Sequence, residues 1–227
     1  MYNETVAFVI ISSGYLLGSI PSAYIAGRVL RGIDLRRYGS GTVSGSMVWE
    51  HVGRWAIVPV GLFDIIKASL PTWLALRLGL SSTVAAAAGL AAVVGHIWPL
   101  FLDFHGGRGL STMLGIWLVL FPPGAAWMLL FLFIGWRLRS AVWVLIGLGT
   151  LPVLSHLIEG PDIVTPLSAL MLGLTFLKRL EANRRPLTKD LSERIRVILR
   201  RLFLDRDIPS HEDWIRRTPG SDQSRRP

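Results

Sequence analysis

Four short stretches of this sequence combine residue types and spacings suited to holding an anion or moving a proton. The first is Asp34-Leu35-Arg36-Arg37-Tyr38-Gly39-Ser40-Gly41. Glycines on both sides of Ser40 let the backbone approach a ligand closely and aim N–H groups at an anion. Arg36 and Arg37 add positive potential beside it. The same stretch also reads as a charged loop that only fixes topology. The second is Gly106-Gly107-Arg108-Gly109, just ahead of a helix carrying Ser111 and Thr112. A glycine turn that opens a helix leaves free N–H groups and the positive dipole end pointing the same way. Arg108 could then hold a phosphate through two hydrogen bonds. The plainer reading is a tight interfacial turn with one arginine. The third is Asp64 with Lys67, which share a helix face and can pair. Ionisable groups inside a membrane span are costly, so this pair is either a structural ion pair or part of a polar site. The fourth is Gly95-His96, followed by Trp98-Pro99. His96 could act as a base or contact a phosphate, or be an interfacial histidine with an ordinary partner.

Several chemistries lack the residues they need. The chain has no cysteine, which removes disulfides and thiolate metal sites. His51, His96, His105 and His156 are scattered, so no metal is expected. The P-loop spacing and the G-x-S-x-G elbow are absent. So is an HxxxxD pattern: the fifth residues after the histidines are Ala56, Phe101, Leu110, Pro161 and Arg216. The net charge of +9 sits beside apolar segments. Anionic lipid and anionic substrates therefore fit it better than nucleic acid does.

The elements that must position these residues are membrane helices. Half the chain is hydrophobic (51%) and only 17% is charged, with the charge concentrated toward the end. A bilayer core takes about 20 apolar residues per helix. Val6–Ala26, Trp55–Leu78, Ser82–Phe101, Leu110–Phe121, Ala125–Trp136, Ala141–Leu157 and Val164–Leu177 qualify as seven spans, the shorter ones flanking Pro122-Pro123-Gly124. One kinked helix over 110–136 would reduce the count to six. The first segment lacks a basic flank at its start and is read as a span, not a cleaved leader. With the N-terminus outside and the C-terminus in the cytoplasm, every Lys and Arg except Lys67 and Arg77 falls on the inner side. Residues 181–208 read as a basic amphipathic helix, either on the membrane surface or packed on the bundle. Residues 209–227 have the composition of a disordered tail.

Read together, the motifs resemble the bacterial acyl-phosphate:glycerol-3-phosphate acyltransferases. Gly18-Ser19-Ile20-Pro21, Gly32-Ile33-Asp34-Leu35-Arg36, Gly39-Ser40-Gly41, Asp64 with Lys67, and Gly95-His96-x-x-Pro99 through Phe101, Phe104, Gly106-Gly107-Arg108-Gly109 and Thr112 occur in the family's order and spacing, from about Tyr15 to Ala141. The resemblance implies an all-α, seven-span enzyme domain over residues 1–180. It would transfer an acyl group from acyl phosphate to glycerol 3-phosphate without metal, coenzyme A or another cofactor. Ser40, His96 and Arg108 would be catalytic. Phosphate would be bound by Arg36, Gly39, Ser40, Gly41, Lys67, Gly106, Gly107, Arg108, Gly109 and Thr112, with Asp34 and Asp64 as structural polar groups. Arg108 stands where the family usually has lysine.

The chain also departs from that family. Gly39-Ser40-Gly41-Thr42-Val43-Ser44-Gly45-Ser46-Met47 replaces the usual Gly-Ser-Gly-Asn-x-Gly-Ala-Thr-Asn, and Glu50 stands where an arginine is expected. The late His-Arg-x-Asn motif before Leu177-Lys178-Arg179-Leu180 is replaced by Gly173-Leu174-Thr175-Phe176. Two further function classes are therefore an inactive relative that binds lipid or a partner protein, and a transporter. The second lacks a visible inverted repeat.

Overall fold

The computed structural model describes residues 2–182 and 190–216, and within them every regular element is helical. In chain order these are α1 (Tyr2–Gly18), α2 (Ser22–Arg31), α3 (Gly45–His51), α4 (Ile57–Arg77), α5 (Ser82–Ile97), α6 (Leu110–Leu120), α7 (Pro122–Arg137), α8 (Val142–Leu157), α9 (Val164–Ala182), α10 (Leu191–Leu199) and α11 (His211–Ile215). A π-helical turn, Arg200–Leu204, follows α10 directly. Asn3–Arg31, Arg54–Arg77 and Ser82–Leu102 are long and apolar enough to cross a membrane, and Leu110–Leu120 and Val142–Leu157 are shorter apolar helices. Phe8, Val58, Leu62, Ile66, Leu129 and Phe133 stand exposed on the outside. Such a belt is the face that hydrocarbon would cover.

One helix break was not expected, and a second was expected but falls one to three residues earlier. The first span does not run unbroken to Ala26, because the chain leaves helix at Ser19–Pro21. Pro21 has no N–H to continue the ladder, and the Ser19 hydroxyl bonds back to the Tyr15 carbonyl at 2.8 Å. The second break separates α6 from α7, so 110–136 is two helices. Only Phe121 lies between them, and Pro122 and Pro123 are the first residues of α7. Proline is tolerated there because the first N–H groups of a helix have no intrahelical partner. In the tail, residues 183–189 and 217–227 lie outside the described residues. The segment after Pro209 carries α11, with Trp214 buried within it.

The main core lies among α5 to α9, around Trp117, Met113, Leu148, Leu151 and Met171. The α1 helix packs against α5, and α4 against α5 and α6. Small residues bring α1 and α5 together. A Cβ at Gly14 would stand 2.5 Å from the Ala88 carbonyl oxygen, and one at Gly18 would collide with the Ala92 backbone. Such contacts let helix backbones approach where lipid offers no hydrophobic drive between helices. Residues 27–54, between the first two expected spans, build a second core from Leu35, Val43, Met47, Val48 and Val52 with Leu102. That core gives the Ser40 segment a fixed seat.

Gly14→Ala is expected to lower stability by about 1–3 kcal/mol, because the carbonyl it meets is backbone and cannot move aside. Gly173→Ala, with nothing near the new Cβ, is expected to be neutral or slightly stabilising. Unfolding midpoints of the two variants in detergent check the contrast.

Candidate functional site

The site begins where α5 ends. A helix leaves its last carbonyls without partners, and here each receives a donor from a distant element. Gly107 N–H donates to the His96 carbonyl at 3.0 Å. Lys178 Nζ, from α9, donates to the Ile97 carbonyl at 3.0 Å. The Tyr15 hydroxyl, from α1, donates to the Trp98 carbonyl at 3.0 Å. Trp98 Nε1 in turn donates to Glu181 at 2.6 Å. His96 is thereby held in place from three sides. Its Nδ1 lies 3.6 Å from the Asp64 carboxylate, and its Nε2 abuts Gly107 so closely that no Cβ fits there.

Asp64 and Lys67 sit one turn apart on α4 and are almost wholly buried. Their ion pair is 2.9 Å long. The helix break at Ser19–Pro21 supplies the rest of the shell. Ser22 Oγ donates to Asp64 at 2.6 Å, and Lys67 Nζ donates to the Ile20 carbonyl at 3.1 Å. Lys67, His96, Ser22, Gly106 and Gly107 line one narrow cleft, together with Val43.

The other side of that wall is a ladder of hydroxyls. Ser40 and Thr42 are 2.6 Å apart, Thr42 and Ser44 3.2 Å, and Ser44 and Ser46 3.1 Å. The run follows the chain from the Gly39–Gly41 turn through the α3 N-cap at Ser44 into the first turn of α3, where Ser46 lies. Val43 N–H donates to the Gly106 carbonyl at 3.2 Å, joining this segment to the glycine turn. Across the join, Arg108 Nη1 donates to Thr42 at 2.7 Å and to Ser40 at 3.4 Å. Gly39, Gly41 and Gly109 all have positive φ, which glycine adopts without strain.

Nearby, Asp34 caps the 35–37 turn by accepting the Arg36 N–H at 3.0 Å. It also binds the Arg36 guanidinium at 2.8 Å and Arg28 at 3.3 Å. The Arg36 hydrogen bonds hold the Asp34 carboxyl below the usual carboxylate range. Arg36 is thus committed to Asp34, with Asp103 3.7 Å away.

Of the residues expected at the site, Lys67, Asp64, His96, Gly106 and Gly107 meet at the cleft, and Ser40 and Arg108 meet beside it. Thr112 is fully buried and gives its hydroxyl to the Gly109 carbonyl at 2.7 Å. Sequence reasoning missed Thr42 as an arginine partner, although the Ser40-Thr42-Ser44-Ser46 alternation was there to find. It missed Ser22, Asp205 and Trp214, for which no local signal exists. The departures also find places. Met47 is an apolar member of the loop core. Glu50 faces Arg216 at 3.9 Å. Thr175 bonds within its own helix, to the Met171 carbonyl at 2.8 Å.

The family model for glycerol-3-phosphate acyltransferase matches residues 8–189. Glycerol-3-phosphate acyltransferase 4 of Dehalococcoides mccartyi strain CBDB1 is 38% identical over 218 residues, 93% of this chain and 94% of that one. The Synechococcus sp. strain CC9902 glycerol-3-phosphate acyltransferase is 44% identical over 127 residues, 56% of this chain and 64% of that one. Among solved structures, PlsY (YgiH), an integral membrane glycerol 3-phosphate acyltransferase, in its glycerol 3-phosphate form superposes with a TM-score of 0.69 at 29% identity. The match covers 78% of this chain and 89% of that one.

Lys67→Met leaves Asp64 buried without its cation and is expected to cost about 3–5 kcal/mol. The double variant Asp64→Asn/Lys67→Met is expected to recover most of that loss in the same unfolding assay. Asp34→Asn tests the loop pair by pH. A depressed carboxyl stabilises the fold above its unfolded-state pKa, and the gain disappears as pH falls through the folded-state value. The gap in unfolding midpoint between wild type and Asp34→Asn is therefore constant above about pH 5 and closes in acid.

Proposed function

The chain belongs to the glycerol-3-phosphate acyltransferase family, and from that premise we propose a specific reaction for the cleft. A fatty acyl group passes from an acyl phosphate to the 1-hydroxyl of glycerol 3-phosphate, giving lysophosphatidic acid and inorganic phosphate. The protein is an integral membrane acyltransferase of phospholipid synthesis, of the bacterial inner-membrane kind. Seven spans with the N-terminus outside and the site opening to the cytoplasm accord with its basic loops.

One observation carries the reading. Two cations, Lys67 beside His96 and Arg108 beside Ser40 and Thr42, share a single wall made of Val43 and the Gly106–Gly107 turn. Two phosphates must come close in this reaction, and their mutual repulsion is the main electrostatic obstacle. A separate cation for each removes it, and positioning then does most of the catalysis. The donor is already activated. The acceptor oxygen attacks the acyl carbon, the bond to the phosphate oxygen breaks, and the phosphate leaves with the electron pair.

Arg108, steadied by Thr42 and Ser40, is suited to the leaving phosphate, because its planar fork matches phosphate oxygens. Asp64 beside Nδ1 favours the proton there and leaves His96 Nε2 as an acceptor for the hydroxyl proton. Lys67 sets the potential at the base of the cleft. Glu50 faces Arg216 while the C-terminal segment lies over the site.

Purified protein in detergent is expected to transfer palmitate from palmitoyl phosphate to glycerol 3-phosphate. Arg108→Ala is expected to lower kcat/KM about 10²–10³-fold. Ser40→Ala, with Thr42 still holding the guanidinium, is expected to cost about tenfold. Turnover with palmitoyl-coenzyme A but none with palmitoyl phosphate would sink the donor assignment.

A further inference from the structure

The segment from Arg200 to Arg216 lies over the Arg108 cluster and carries an anion of its own. The Asp205 carboxylate forms an ion pair with Arg108 at Nε. Trp214, only 5% exposed, packs its ring 5.6 Å from the same guanidinium. Contacts outside the site hold the segment in that position. Arg179, on α9, donates to the Leu202 carbonyl at 2.6 Å and the Phe203 carbonyl at 3.3 Å, in the turn just before Asp205. Arg139 pairs with Glu212 at 3.1 Å, and Arg216 faces Glu50 at 3.9 Å. The segment Arg200–Arg216 itself lies beyond the residues that the family model matches.

Arg108 has one guanidinium and two demands on it. Nη1 is given to Thr42 and Ser40. Nε faces Asp205. Nη2 is buried without a hydrogen-bond partner among the described residues, as is Asp205 Oδ1. A phosphate seeking two parallel N–H donors would take the edge formed by Nε and one Nη. The carboxylate already stands at Nε, and two anions cannot share that edge without strong repulsion.

We propose that Arg200–Arg216 is a lid whose Asp205 carboxylate occupies the phosphate edge of Arg108, so that Asp205 must leave before a substrate phosphate can bind there. The proposal rests on the reading of Arg108 as a phosphate contact. While the lid is shut the competent fraction of the enzyme is reduced, and the apparent affinity for the phosphate ligand falls in proportion. Phosphate carries more charge and more acceptor oxygens than a carboxylate, so substrate can displace the lid. Trp214 covers the guanidinium in the closed state and keeps water from it.

Two measurements on the full chain test this. Asp205→Asn removes the competing charge and is expected to lower the KM for the phosphate substrate that uses Arg108 about 3- to 10-fold, with kcat not reduced. Arg139→Cys with Glu212→Cys allows the lid to be tied shut. The chain has no other cysteine, so a thiol-cleavable bis-methanethiosulfonate bridges only these two positions. Bridged protein is expected to lose at least about tenfold in acyl transfer against the unbridged double variant, and to regain it on reduction. Full activity in the bridged state would overturn the lid. So would a raised KM or a lower kcat in Asp205→Asn, which would make Asp205 a residue that positions Arg108. Undiminished turnover in Arg108→Ala overturns instead the reading beneath it, and the bridging result still reports whether the segment moves.

Discussion

The structure depends on how α5 is allowed to end. Its last carbonyls, on His96, Ile97 and Trp98, face the protein interior, where an unpaired polar group costs several kcal/mol. No local cap satisfies them. They are met by a backbone N–H from the glycine turn, an ammonium from α9 and a phenol from α1. Three regions far apart in the chain are therefore tied to one point, and His96 is at that point. The arrangement also explains the glycines. Gly107 can reach the His96 carbonyl only because its missing Cβ leaves room for the imidazole.

The same economy of breaks recurs in α1. The helix breaks at Pro21, and the Ile20 carbonyl accepts Lys67 as well as the Ser22 N–H. The interruption also brings Ser22 to Asp64. A lysine and an aspartate buried this deeply stand only when every donor and acceptor is matched, and the kinked helix supplies the missing partners. The defect in α1 and the charges in α4 are thus one feature. Together they hold a neutralised ion pair inside the bundle, where the attraction between its charges is poorly screened.

Polarity in the C-terminal segment runs opposite to that of a helix docked on a soluble protein. Leu191, Ile195, Leu199 and Phe203 are exposed, while Arg201, Asp205 and Asp207 are buried. Asp205 turns inward because the surface it meets is basic: its carboxylate lies against Arg108, and at the edge Arg139 pairs with Glu212. Arg179 serves as a clamp here. It binds the Ala141 carbonyl at 2.7 Å as well as the lid turn, joining the start of α8 to the segment above the site.

Much of this was written into the sequence by local rules. Runs of apolar residues near bilayer length specify membrane helices, and the charge-poor stretches specify where they lie. The glycine-serine and glycine-arginine stretches mark places where backbone approaches a neighbouring segment closely. Pro122-Pro123 marks a break between two spans, and the chain uses both prolines to start α7. What the tertiary structure alone decided is pairing over long separations. Nothing near Arg108 announces Thr42, 66 residues away, still less Asp205 and Trp214. Nothing near Lys67 announces Ile20. Thr112 looked like a ligand and became a helix brace, and Met47 looked like a lost polar group and became core. Periodicity and motif spacing report what a segment can be, because they reflect local sterics and transfer energies. Which carboxylate meets which guanidinium depends on packing across the whole bundle, and that information is not carried by any one segment.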